Sequence, residues 1–66
     1  MHGTVTDFDE AVGLGTITGD DGESYAFHCT QIADGTRTIE VGVAVTFELR
    51  PRLGRYEASE VVQTAP

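Results

Sequence analysis

Two imidazoles, one thiol, eleven carboxylates and four arginines are the chemistry-bearing groups of this 66-residue chain. His28 and Cys29 are adjacent and invite a metal reading. Neighbours in a strand point to opposite faces, so this pair does not chelate one ion. His2 is the only other imidazole. A cysteine nucleophile needs a base and a group that orients it. Cys29 meets none within sequence reach, and it reads as a small buried thiol. Asp20-Asp21 lacks the ligand spacing of a calcium loop and reads as a solvated turn. Gly13-Leu14-Gly15 starts like a dinucleotide loop, but the third glycine is missing and no helix follows. No nucleotide, metal or triad motif supports an enzyme, and no cofactor is expected. What remains is a cluster of cations. Arg50, Arg52 and Arg55 lie within six residues around Leu53, while Arg37 lies apart. Apolar anchors and arginines recur at interface hot spots. Arg50, Arg52, Leu53 and Arg55 are therefore a candidate loop for a protein partner or for phosphate.

The elements that must carry these groups read as β throughout. Gly3 to Phe8 is rich in strand formers, and a turn follows over Asp9 to Gly13. Leu14 to Thr18 is a short second strand. Gly19-Asp20-Asp21-Gly22 carries the Asp-Gly signature of a tight hairpin. Ser24 to Cys29 is a third strand, with Tyr25 and Phe27 on one face and Ala26 and His28 on the other. Thr30 to Ala33 forms a single helical turn, and Asp34 to Thr38 a loop. Val43, Val45, Phe47 and Leu49 alternate with Ala44, Thr46 and Glu48, the pattern of a half-buried strand. Pro51 and Gly54 bracket the arginine loop. Tyr56 to Val62 is a fifth strand, and Gln63 to Pro66 a frayed end. Five short strands with frequent turns predict a small closed β-barrel, because closure removes exposed sheet edges.

Length and charge bound the function. Sixty-six residues make one domain, 1–66, burying about 60% of the surface that its unfolded chain exposes. One cysteine cannot form an intramolecular disulfide. With no signal-like N-terminus, the expected compartment is the cytoplasm. No stretch approaches the ~18 apolar residues of a membrane helix. The net charge is −7, with no lysine. Such a chain repels a polyanion at long range unless its arginines cluster.

Several residue runs resemble the bacterial cold-shock domain. Gly3-Thr4-Val5, Phe8 and Gly13-x-Gly15-x-Ile17-Thr18-x-Asp20-Asp21-Gly22 look like its opening. Phe27-His28, Thr30, Ile32, Asp34-Gly35, Thr38-Ile39, Gly42, Val45-x-Phe47 and Ala58-x-x-Val61 follow at the family's spacing. The resemblance spans essentially the whole chain. It implies an all-β, five-stranded antiparallel OB-fold barrel. It also implies an aromatic platform on strands two and three, on which single-stranded bases stack.

The departures from that family bear on function. Where the family has a strand-one Trp, this chain has Asp7, and Thr6 and Val12 replace lysines. Leu14 and Thr16 stand for two phenylalanines, as do Ala26 and Cys29, and Thr36 stands for a loop aromatic. By resemblance only Phe8 and His28 remain of the platform. Core positions Ile17, Phe27, Val45, Phe47 and Leu49 are kept or conservatively filled. The expected protein is a non-catalytic monomeric module whose single-stranded nucleic-acid binding is weak or lost, its present ligand a protein or a nucleic acid held through the arginine loop. The rival is a working cold-shock-type chaperone of single-stranded RNA or DNA.

Overall fold

The computed structural model describes residues 1–35 and 37–64; Thr36, Ala65 and Pro66, among them the expected loop substitution and the end of the frayed tail, lie outside the described residues. Five strands form: β1 (His2–Asp9), β2 (Leu14–Gly19), β3 (Ser24–His28), β4 (Ala44–Arg52) and β5 (Arg55–Gln63). A 3-10 turn, Cys29–Gln31, follows β3. The strands close into a barrel in the order β1-β2-β3-β5-β4, the OB-fold architecture that the resemblance implies. Four seams are antiparallel, and one parallel pair, Ala26 with Glu57, joins β3 to β5.

Alternation builds the interior. In β3, Tyr25 and Phe27 point in while Ser24, Ala26 and His28 point out. Val5, Ile17, Phe27, Val45, Phe47 and Val61 fill the centre. Burying each such side chain is worth about 1.5–3 kcal/mol, which is where a domain this small finds its stability. Tyr25 and Phe47 meet with ring centroids 5.6 Å apart, tilted by 50°.

Two irregularities interrupt the alternation. In β1 the register shifts between Val5 and Asp7, so a bulge re-aims every later side chain. In β5 the register shifts opposite Thr46 and Glu48, and Glu60 adopts a positive φ of 51°. That extra residue leaves both Ala58 and Ser59 buried.

Three sequence expectations are corrected here. Leu49 is not core; it is 36% exposed. The pairing of β4 with β1 ends at Thr46, so by Leu49 the strand has left the barrel wall and lies against β5 alone. The arginine segment is not a loop but the end of a β4–β5 hairpin, with Arg52 paired to Arg55. Only Leu53 and Gly54 turn, at φ of 46° and 84°. Both positive values mark the mirror-image turn that matches strand twist. Gly54 adopts its angle freely, whereas Leu53 does so against the Cβ sterics that disfavour it. Finally, β3 ends at His28 rather than Cys29, because the chain turns there into the 3-10 segment.

Candidate functional site: the outer face of β1–β2–β3 and the β4–β5 hairpin

The register sets outward residues in rows. One row runs Asp7 (β1), Thr16 (β2), Ala26 (β3), Glu57 (β5) and Arg50 (β4). The next runs Asp9, Leu14 and His28. Asp7, Asp9, Leu14, Ala26 and His28 are exposed, and Thr16 and Glu57 are half-buried. Four of the positions where the family's aromatics are missing, Asp7, Leu14, Thr16 and Ala26, thus share one outward face, whereas a fifth, Cys29, is buried. A third row pairs Thr18 with Ser24, and the hydroxyls of Thr6 and Thr18 lie 3.3 Å apart.

Phe8 and His28, the two platform residues retained by resemblance, sit in different settings. The β1 bulge turns Phe8 toward the interior, where it packs on the core half-buried. Its ring stacks on Phe27 with centroids 5.9 Å apart and planes 11° from parallel. Gly15 lies between them in register, on the strand that separates β1 from β3. A Cβ there would stand 2.5 Å from Phe27 Cζ and 2.8 Å from the Asp7 carbonyl oxygen. The glycine of the supposed dinucleotide motif therefore makes room for an aromatic stack and has no phosphate role.

His28 stays on the outer face, beside Leu14. Its Nδ1 accepts the Thr30 backbone N–H at 3.2 Å and lies 3.0 Å from the Thr30 hydroxyl, so the ring caps the 3-10 turn. Nδ1 also lies 3.8 Å from Cys29 Sγ. The sequence reading placed no base within reach of Cys29. The turn after β3 corrects that, because it folds the thiol back beside the ring. The thiol is buried. Among the described residues no group of three or more His, Cys, Asp or Glu is placed to hold a metal ion.

Turns hold the ends of the face. Asp9 Oδ1 accepts the backbone N–H groups of Ala11 at 3.1 Å and Val12 at 3.4 Å, fixing the β1–β2 turn. In the β2–β3 turn the Tyr25 hydroxyl donates to Asp21 at 2.5 Å. That bond pushes the Tyr25 hydroxyl up to about 12 and holds the Asp21 carboxyl below its ordinary value.

Two hollows open on the face. One, of about 400 Å³, is lined by Asp7, Asp9, Val12, Leu14, Thr16 and Ala26 among others. The other, of about 660 Å³, runs between the face and the hairpin and adds Tyr25, Arg52, Leu53, Arg55, Tyr56 and Glu57. Leu14, Thr16 and Ala26 line both, so the hairpin borders the same surface. Leu53 is 97% exposed and Tyr56 55% exposed. Arg52 pairs with Glu57 at 3.3 Å, a solvent-exposed contact worth about 0–1 kcal/mol. Tyr56 was missed by the sequence reading; its signal was an aromatic directly after Arg55 on a predicted strand.

A family model for the 'Cold-shock' DNA-binding domain matches residues 1–64. The chain belongs to the cold-shock domain family. No curated protein matches it significantly. The family is one of nucleic-acid-binding OB-fold modules, a non-enzymatic fold. No helix among the described residues is long and apolar enough to cross a membrane. Against the family's platform, the outer face of this cold-shock domain presents aspartate, leucine, threonine and alanine in its central rows. Exposed rings border these rows at His28, at one edge, and at Tyr56, on the hairpin.

Proposed function

We propose that this cold-shock domain is a non-catalytic binding module, acting in the cytoplasm, whose grip on single-stranded nucleic acid is weak or lost and whose outer face and hairpin serve protein contact. One observation carries the reading: the central row has carboxylates at Asp7 and Glu57 and only Thr16 and Ala26 between them. Each base–aromatic stack contributes roughly 1–3 kcal/mol. Four lost stacks at the low end amount to about 4 kcal/mol, near a thousandfold in affinity. The Asp7 carboxylate in place of one of them, with Glu57 in the same row, adds repulsion toward phosphate.

A second reading, a working chaperone of single-stranded RNA or DNA, draws on the hairpin. Arg50, Arg52, Arg55 and Tyr56 could hold a strand along the larger groove, as the loop between the last two strands does in OB-folds generally. Three cations, one of them paired to Glu57, replace little of what four stacks supplied.

The test compares wild type with Asp7→Trp/Leu14→Phe/Thr16→Phe/Ala26→Phe by fluorescence anisotropy on a pyrimidine-rich single strand. The quadruple variant should bind at least about a hundredfold tighter, because stacking is restored on a surface with room for it. Its affinity should fall only modestly with salt, whereas that of wild type should fall steeply. Sub-micromolar binding by wild type establishes the chaperone reading instead. A folded quadruple variant that binds no better than wild type overturns the alignment of this face with the family platform.

A further inference from the structure

The hairpin tip has no use within its own chain. Leu53 is 97% exposed and sits at a positive φ of 46° in a two-residue turn. Asn or Gly would fill that position without strain. An exposed apolar side chain held in such a conformation is a candidate for contact outside the fold. Arg52 and Arg55 flank it, and three of the chain's four arginines lie on this hairpin. The smaller hollow is its complement. Val12, Leu14 and Ala26 give it an apolar floor, and Asp7 and Asp9 give it an acidic rim. Asp7 makes no ion pair with a described residue.

We propose that the partner is a second copy of this chain, each copy's Leu53 seated in the other's hollow beside Asp7 and Asp9. The proposal rests on the reading that the face has been released from base stacking. The two features lie on one surface, because Leu14, Thr16 and Ala26 line both the hairpin groove and the acidic hollow. The central row runs from Asp7 at one flank to Arg50 at the other. In a two-fold dimer each hairpin would seat in the other copy's hollow, so the two contacts would form together. The net charge of −7 on each copy opposes association. Local pairing of opposite flanks and two buried leucines offset it, so the dimer is a transient one, in place of the expected monomer.

The test is sedimentation of the whole chain over roughly 10 µM to 1 mM, the range suited to a small interface. Wild type should dimerise within it. Leu53→Asn should raise the melting temperature by relaxing the turn, yet weaken the dimer at least about tenfold. Leu53→Gly serves the same purpose if the asparagine variant folds poorly. Asp7→Lys and Arg55→Glu should each weaken the dimer by a similar factor, since each places like charges face to face. Mixed together, they should form a heterodimer about as tight as the wild-type dimer, because both contacts then pair opposite charges. A monomer throughout the range overturns the proposal. So does a dimer indifferent to Leu53→Asn, or a mixture no tighter than either variant alone. The measurement contains no nucleic acid, so tight oligonucleotide binding would sink the functional reading while leaving this outcome to be judged separately.

Discussion

Gly15→Ala isolates how the inner layer supports the outer face. Gly15 has no positive φ, so the backbone itself accepts alanine. Space does not. The added carbon would stand 2.5 Å from Phe27 Cζ, 2.6 Å from its Cε1 and 2.8 Å from the Asp7 carbonyl oxygen. Neither neighbour can step aside cheaply. Phe27 is fully buried and covered by the parallel Phe8 ring, and Asp7 belongs to the partner strand at its bulge. Overpacking of this kind costs about 1–3 kcal/mol, and two fixed neighbours put it at the upper end. Reduced freedom in the unfolded chain returns about 0.4–1 kcal/mol. The net loss of about 2 kcal/mol should lower the melting temperature by about 8–16 °C in a domain of this size. Thermal unfolding by far-ultraviolet circular dichroism reads it directly. Phe27→Leu should relieve part of the clash, so the double variant should be more stable than the summed single effects by at least about 0.5 kcal/mol. A Gly15→Ala protein melting within about 2 °C of wild type would refute the packing. Strict additivity with Phe27→Leu would show that the ring is not the obstacle.

Two further outcomes are expected. Tyr25 is raised from 10.0 to about 12 by its bond to Asp21, so the folded state keeps a proton that the unfolded chain loses between those values. Stability should therefore be complete below pH 10 and fall as pH rises toward about 12; Tyr25→Phe should lose this slope, and an unchanged slope in melts across that window would refute the assignment. The net charge of −7 with one described ion pair predicts self-repulsion. The melting temperature of dilute protein should rise from about 20 to 200 mM sodium chloride as screening grows, and a flat or falling value would refute it.

What was legible in the sequence follows the period-two rule, and what was not follows its interruptions. Tyr25, Phe27, Val45 and Phe47 could be placed inside, and Ala26 and His28 outside, because their strand stretches run without a bulge. Phe8 could not be placed. One extra residue in β1 turns it from the outer face to the core, and no residue type there announces a bulge. Leu49 was misplaced because alternation records facing but not whether another layer lies opposite. The Leu53-Gly54 turn lacked its Asn-Gly signature, since leucine is a poor residue for that backbone angle. The thiol–imidazole approach was invisible because adjacent residues meet only where a strand ends, and strand ends are read to within a few residues.

The same alternation explains how a cold-shock barrel can lose its platform and remain a barrel. Inner and outer residues of one strand belong to separate accounts. Val5 and Ile17 hold the interior, while Asp7 and Ala26 are exposed and Thr16 is half-buried. Substitutions at such outer positions usually change stability by no more than about 0.5 kcal/mol. Folding therefore places almost no restraint on what the face displays, and its carboxylates need no structural cause. Leu53 is different. A non-glycine residue in the left-handed region costs roughly 1–2 kcal/mol. A domain of this length holds only about 3–10 kcal/mol in all. The strained leucine therefore weighs on stability as the outer-face residues do not. Folding alone would favour asparagine there, which is why Leu53→Asn separates the strain of the turn from any contact that the exposed side chain makes.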